Sequence, residues 1–165
     1  MKISTIILLL IFSVLNINKS SGQCENLSFL NTLFIGGFED VDVKLTNKNY
    51  TFLREMVTGF DYKHSSSDKF IAVLFNSNKK VERVQYRLLY DAICYNNLRE
   101  EILKGGFQKE FEVLGKHDTF YFFYRGKNRG IVLSKWNFKG SNMYALDLCT
   151  IGQYEIELSQ RKNER

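Results

Sequence analysis

The stretch FIAVLFNSNKKVERVQYRLLYDA, residues 70–92, decides the fold expected of this chain. It opens with an unbroken apolar run over residues 70–75, which is typical of a buried strand. The polar segment Asn76-Ser77-Asn78 then provides turn-forming residues. Beyond this turn, apolar and polar residues alternate over residues 84–92, the period of a half-buried strand. Two such strands joined by a tight turn predict an antiparallel sheet.

The rest of the chain extends this pattern in both directions. Apolar residues recur three and four positions apart before the first strand, which predicts a helix over residues 46–61. After the hairpin, further strands are expected at residues 107–113, 119–124, 131–138, 143–149 and 154–158. A short helical excursion is expected near residues 98–103, and no internal repeat or linker is evident. The sequence therefore predicts an α+β fold with one principal helix packed on an antiparallel β-sheet.

Length and composition are those of one globular domain behind a targeting segment. The chain has 165 residues, of which 44% are hydrophobic and 25% charged, and it contains no proline. Residues 1–22 are predicted to be a secretory signal peptide, with Lys2 before an apolar run at residues 6–15 and small residues at 20–22. An N-terminal membrane anchor is the alternative, although a spanning helix needs about 20 apolar residues. The mature domain is expected to be residues 23–165, and we expect a secreted, extracellular protein.

Removing residues 1–22 takes away two lysines and no acid, which lowers the formal net charge from +5 to +3. This balance is too mild to predict nucleic-acid binding. In an oxidising compartment the remaining cysteines, Cys24, Cys94 and Cys149, are disulfide candidates. Cys94–Cys149 is favoured because both lie in predicted strands, but the other two pairings stay open. No Cys/His cluster predicts a metal site, and no cofactor is expected.

Two sequons and a few titratable residues complete the candidates. Asn26 and Asn49 begin N-x-S/T sequences and are predicted glycosylation sites. The histidines, His64 and His117, lie in polar segments, and a strand pattern would place Glu110 and Glu112 on one face. No nucleophile elbow, zinc motif, phosphate loop or dinucleotide fingerprint is present. We therefore expect a protein that is not an enzyme and has no catalytic residues.

Three segments, at residues 35–38, 79–86 and 120–135, together resemble the cystatin family of secreted cysteine-protease inhibitors. Ile35-Gly36-Gly37-Phe38 is similar to the N-terminal glycine pair of that family. The segment KKVERVQY, residues 79–86, falls where the family has its QxVxG hairpin, and residues 120–135 are similar to the later strand, loop and strand. The resemblance implies a cystatin-like scaffold over residues 34–136. It departs from the family where Lys79 and Arg83 replace the hairpin glutamine and glycine, and residues 143–165 form a C-terminal extension.

The function expected from these observations is a secreted non-catalytic binding protein, with a papain-type cysteine protease as the partner that the resemblance implies. Such an inhibitor occludes a cleft with preformed turns and needs no catalytic group. The alternative is a lipocalin-like carrier of a small apolar ligand inside a closed strand barrel. The expected contact residues are Gly36, Gly37, Lys79, Val81, Arg83, Lys127 and Arg129. Their basic members predict an acidic partner.

Overall fold

The computed structural model describes residues 24–164, so the predicted signal peptide at residues 1–22 lies outside the described residues. The described helices are α1 (Leu27–Ile35), α2 (Phe38–Thr46), α3 (Ala92–Lys104) and α4 (Ile151–Asn163). The first four strands are β1 (Tyr50–Met56), β2 (Gly59–His64), β3 (Lys69–Phe75) and β4 (Val81–Leu89). The last four are β5 (Gln108–Leu114), β6 (Phe120–Arg125), β7 (Arg129–Phe138) and β8 (Ser141–Thr150). A short 3₁₀ turn, Lys116–Asp118, precedes β6.

The eight described strands form one antiparallel sheet in the order β1-β2-β3-β4-β8-β7-β6-β5. Residues 70–92 behave largely as predicted, because β3 pairs with β4 from Lys69–Leu88 to Phe75–Val81. The fold class is therefore α+β with an antiparallel sheet. The expectation of one principal helix is wrong, because the described residues form four helices. The sheet is open, with β1 and β5 at its two edges, and does not close into the barrel of the lipocalin-like alternative.

One order of elements occurs twice in the described chain. Helix α2 is followed by the meander β1–β4, and helix α3 by the meander β5–β8. The last strands of the two meanders, β4 and β8, pair antiparallel at the centre of the sheet. Each edge strand also carries an irregularity, at Leu53 in β1 and at Glu110 in β5. The order of a helix and a four-stranded meander is repeated, but no internal repeat is evident in the amino-acid sequence.

The sheet separates two hydrophobic cores. On the first face, helices α1, α2 and α3 pack with Val84 and Tyr86 of β4 and with Leu146 and Leu148 of β8. On the second face, Tyr154 and Leu158 of α4 pack on side chains from β5–β8. The alternation seen in the sequence is the reason, because successive residues of each strand point to opposite faces.

The predicted helix over residues 46–61 is wrong. Residues 47–61 follow α2, which ends at Thr46, and form most of the β1–β2 hairpin. The irregularity at Leu53 and the turn at Val57-Thr58 each shift the two-residue alternation, so apolar residues three and four apart imitate a helical stripe. A strand pair with one bulge thus shows the same apolar spacing in the sequence as an amphipathic helix.

The other misplaced helices begin at side-chain caps. Asp91 accepts a hydrogen bond from the Cys94 amide at 2.9 Å and starts α3, which is much longer than the predicted excursion. Thr150 accepts one from the Gln153 amide at 3.4 Å and starts α4, so the predicted strand at residues 154–158 is wrong.

Within the described chain, we find no helix with both the length and the apolar character needed to cross a membrane.

Candidate binding surface

The glycine pair and the β3–β4 turn lie side by side at one end of the sheet. Gly37 forms an isolated antiparallel bridge with Lys80. The turn itself is fixed by Asn76, whose side-chain oxygen accepts hydrogen bonds from the amides of Asn78 at 3.0 Å and Lys80 at 3.1 Å. Lys79 adopts a φ of 57° there and is exposed. Two of the three predicted contact segments are therefore adjacent.

The third segment, the β6–β7 turn, reaches the same end of the sheet. The guanidinium of Arg129 lies 4.7 Å from the centre of the Phe34 ring and donates a hydrogen bond to the side chain of Asn31. The last turn of α1 therefore contacts Arg129, and the glycine segment that follows it is bridged to the β3–β4 turn. We call Gly36, Gly37, Lys79, Lys80 and Lys127 the tip surface.

Three of the predicted contact residues do not belong to this surface. The Val81 side chain is 5% exposed and belongs to the first core. Arg83 points to the second face, where its guanidinium lies 3.3 Å from Glu157 and 3.9 Å from Asp147. Arg129 is engaged by α1, and burial lowers its pKa. The sequence predicted a basic hairpin, but the strand alternation turns Arg83 away from the tip.

A partly buried carboxylate at the centre of the second face was not predicted. Asp147 accepts a hydrogen bond from the Gln85 side chain at 3.1 Å, and its own side chain is 15% exposed. Burial raises the pKa of Asp147 to about 6, although Arg83 opposes this shift. No local motif marks this residue, because its neighbours Gln85 and Arg83 come from β4, about 60 positions earlier.

Asp147→Asn is expected to change how stability depends on pH. Because the folded-state pKa lies above the ordinary 3.8, the folded chain binds a proton more readily than the unfolded chain between these values. Wild-type stability should therefore fall as pH rises from about 4 to about 6, and the variant should lack this loss. Urea denaturation should find the variant gaining about 1–3 kcal/mol on wild type between about pH 4 and about pH 7. A difference in stability between Asp147→Asn and wild type that does not change with pH would contradict the prediction.

The two histidines occupy different settings, because His64 is the half-buried last residue of β2 and His117 lies on an exposed turn. Nδ1 of His64 is 3.4 Å from the Ser66 hydroxyl two residues later, and the His64 ring packs edge-on against Tyr50. His117 is exposed in the 3₁₀ turn with a φ of 56°. Among residues 24–164, no acidic side chain forms a hydrogen bond with either imidazole ring, as a Ser-His-Asp arrangement would require.

Glu110 and Glu112 are not a carboxylate pair on one face. The irregularity at Glu110 turns it toward α4, where it accepts hydrogen bonds from Arg125 at 2.8 Å and from the Tyr154 hydroxyl at 2.9 Å. Glu112 accepts one from Lys109 at 2.6 Å. The hydrogen bond from Arg125 lowers the pKa of Glu110, and that from Lys109 lowers the pKa of Glu112. Both groups are held as carboxylates, which does not suit a general acid.

The disulfide joins Cys24 to Cys94, so the favoured Cys94–Cys149 pairing is wrong. Cys94 lies in α3 on the first face, whereas Cys149 is free and lies in the second core, with the sheet between them. Burial raises the pKa of the Cys149 thiol to about 12, which disfavours the reactive thiolate. Asp91 lies close to both bridged sulfurs, but its carboxylate is 3.4 Å from the Lys69 ammonium group, a poor setting for a metal ion.

Both predicted sequons are at the surface. Asn26 is exposed and caps α1, its side-chain oxygen accepting a hydrogen bond from the Phe29 amide at 2.8 Å. Asn49 is exposed in the turn before β1, with a φ of 62°.

Comparisons of the sequence with protein-family models and with curated proteins, and of the structure with solved structures, found no match.

Proposed function

We propose that this chain is a secreted, non-catalytic binding protein that contacts its partner through the tip surface, with papain-type cysteine proteases as the partner class to test. One observation carries the proposal. The Gly37–Lys80 bridge and the contact of Arg129 with Phe34 collect three separate segments at one end of the sheet. A wedge of this kind is what the resemblance to cystatins implies. Helix α2 followed by the meander β1–β4 supports a cystatin-like scaffold for it.

The tip surface has two properties that suit recognition of a protein cleft. Its backbone is accessible, because a side chain at Gly37 would meet no atom within 4 Å. Its turn is also preformed, since the Asn76 amide donates to the Lys80 carbonyl at 2.9 Å in addition to the side-chain bonds described above. A preformed turn loses less conformational entropy on binding than a flexible one. The exposed lysines favour an acidic partner.

Secretion is supported indirectly. A disulfide between Cys24 and Cys94 is typical of proteins in an oxidising compartment. Surface positions for Asn26 and Asn49 are compatible with glycosylation during secretion. The absence of an activated nucleophile among the described cysteines and histidines favours binding over catalysis.

Titration of papain-type proteases with the mature protein tests the proposal. We expect inhibition whose association rate falls as the salt concentration rises. The double variant Lys79→Glu/Lys127→Glu should weaken binding about tenfold or more, because both lysines are exposed at the tip. Lys116→Glu is the matched control, since this exposed lysine lies at the opposite end of the sheet. Equal inhibition by both variants, or no inhibition at micromolar concentrations, would count against the proposal.

A further inference from the structure

An open cup with aromatic walls lies between α2 and the β1–β2 hairpin. Its volume is about 380 Å³, and its walls include Phe38, Phe52, Phe60 and Tyr62. We call these four residues the aromatic cup. Two of them are unusually accessible for phenylalanine, with Phe38 44% and Phe52 56% exposed. The cup is next to the tip surface but does not depend on the protein partner proposed there.

The rings are held in fixed mutual positions. The centre of the Phe60 ring lies 5.1 Å from that of Phe38 and 6.0 Å from that of Phe52, and the planes are inclined by more than 60° in both pairs. Phe52 also meets Tyr62 edge-on at 6.0 Å. Phe75 supports Phe38 and Phe60 at 5.3 and 6.0 Å. The walls are therefore set at large angles to one another, and their faces carry the negative part of the ring quadrupole.

Two carboxylates line the same cup. Glu39 and Asp42 are three residues apart on α2, so they project from neighbouring positions of one helix. Among residues 24–164, neither forms an ion pair with a lysine or arginine within 4.0 Å. Asp42 instead lies beside the Tyr62 hydroxyl, and burial together with this carboxylate raises the pKa of Tyr62 to about 12. The cup thus combines aromatic faces with two carboxylates that form no ion pair within 4.0 Å in the described part of the chain.

We infer that the aromatic cup binds a small organic ammonium ion with an alkylated nitrogen. Such a cation is attracted to several aromatic faces at once, and its alkyl groups are compatible with the apolar walls. The carboxylates of Glu39 and Asp42 then supply the opposite charge at the mouth. A neutral apolar ligand would remove these carboxylates from water without supplying an opposite charge, and this desolvation costs free energy. The same two carboxylates would repel an anion.

A second groove in the same molecule provides a comparison. It lies at the other edge of the sheet, has a volume of about 450 Å³ and is lined by Phe120, Phe122, Leu114, Val113 and Glu112. Its carboxylate, however, is held by the Lys109 ammonium group at 2.6 Å. Aromatic residues and an acid thus occur in both grooves, but only the cup leaves its charge available. An ammonium ion should therefore prefer the cup.

Binding of choline, compared with its neutral isostere 3,3-dimethylbutan-1-ol, tests this inference. Isothermal titration should find saturable binding of choline to one site and at least tenfold weaker binding of the alcohol. Amide NMR shifts should locate the choline site within residues 38–62. Equal binding of the two compounds would overturn the inference, because the cup would then be a merely apolar groove. Absence of saturable choline binding would overturn it as well.

Three variants separate the cup from other surfaces. Phe52→Ala should weaken choline binding about five- to thirtyfold, as expected for loss of one cation–π contact. It should still fold, because Phe52 is more than half exposed on an edge strand. Asp42→Asn should weaken choline binding while leaving binding of the alcohol unchanged. Phe120→Ala, at a comparably exposed phenylalanine of the second groove, is the control and should leave choline binding unchanged. Equal loss in Phe120→Ala and Phe52→Ala would overturn the assignment to the cup.

Discussion

Replacing Cys24 with alanine is expected to lower the free energy of unfolding by about 2–5 kcal/mol. The Cys24–Cys94 disulfide joins residues 70 positions apart, so it removes many conformations from the unfolded chain. It also fixes the segment before α1 to α3, and α1 supplies Leu30 and Leu33 to the first core. Urea denaturation of wild type and variant, without reductant, measures the difference.

Cys149→Ala is the matched control for this prediction, because the same atoms change but no bridge is lost. It should cost about 1 kcal/mol for the buried sulfur. Reductant should destabilise wild type and Cys149→Ala but not Cys24→Ala. Peptide mapping should recover Cys24 linked to Cys94. A peptide with Cys94 linked to Cys149 would contradict the structure, because those two side chains lie on opposite faces of the sheet.

The strands could be predicted from the sequence wherever alternation is regular. Six of the predicted strands, from residues 70–75 to residues 143–149, overlap strands of the sheet, whereas the irregularity at Leu53 gives β1 the apolar spacing of a helix. Three of the four described helices could have been predicted from their N-terminal caps. Asn26, Asp91 and Thr150 each accept a hydrogen bond from the amide three residues later, and all three belong to the residue types favoured at that position.

The candidate site was predictable only where it consists of turns. The Gly36-Gly37 segment and the β3–β4 turn are local, so their residue types identify them. The alternation of β4 places Arg83 on the second face. Its partners there, Asp147 and Glu157, depend on the register of β4 with β8 and on the position of α4, which the sequence does not predict. The aromatic cup was missed for a related reason. Phe38 and Phe60 are 22 positions apart and meet only because α2 lies over the β1–β2 hairpin, whose apolar spacing predicts a helix.

The second large effect concerns Tyr154, which docks α4 on the sheet. Its ring is fully buried, meets Phe123 edge-on at 5.9 Å and lies over Gly130, where an added Cβ would come within 2.0 Å of a ring carbon. Tyr154→Ala should therefore cost about 3–5 kcal/mol. Gly130→Ala should cost about 3 kcal/mol, because the ring cannot move without shifting the helix. Urea denaturation of both variants checks these values.

A double-mutant cycle shows whether the two losses share one cause. The alanine methyl group in Gly130→Ala is expected to destabilise the chain only through its steric overlap with the Tyr154 ring. In that case Gly130→Ala should cost little in a chain that already carries Tyr154→Ala, and the double variant should be no less stable than Tyr154→Ala alone. Gly152→Ala on the same helix is the control. A Cβ there meets no atom within 4 Å, and alanine is the better helix former, so this variant should gain up to about 1 kcal/mol. Additive losses at positions 130 and 154 would contradict the contact, since each residue would then act through different neighbours. A strong coupling would instead show that the cost of the methyl group at position 130 arises from its contact with the Tyr154 ring.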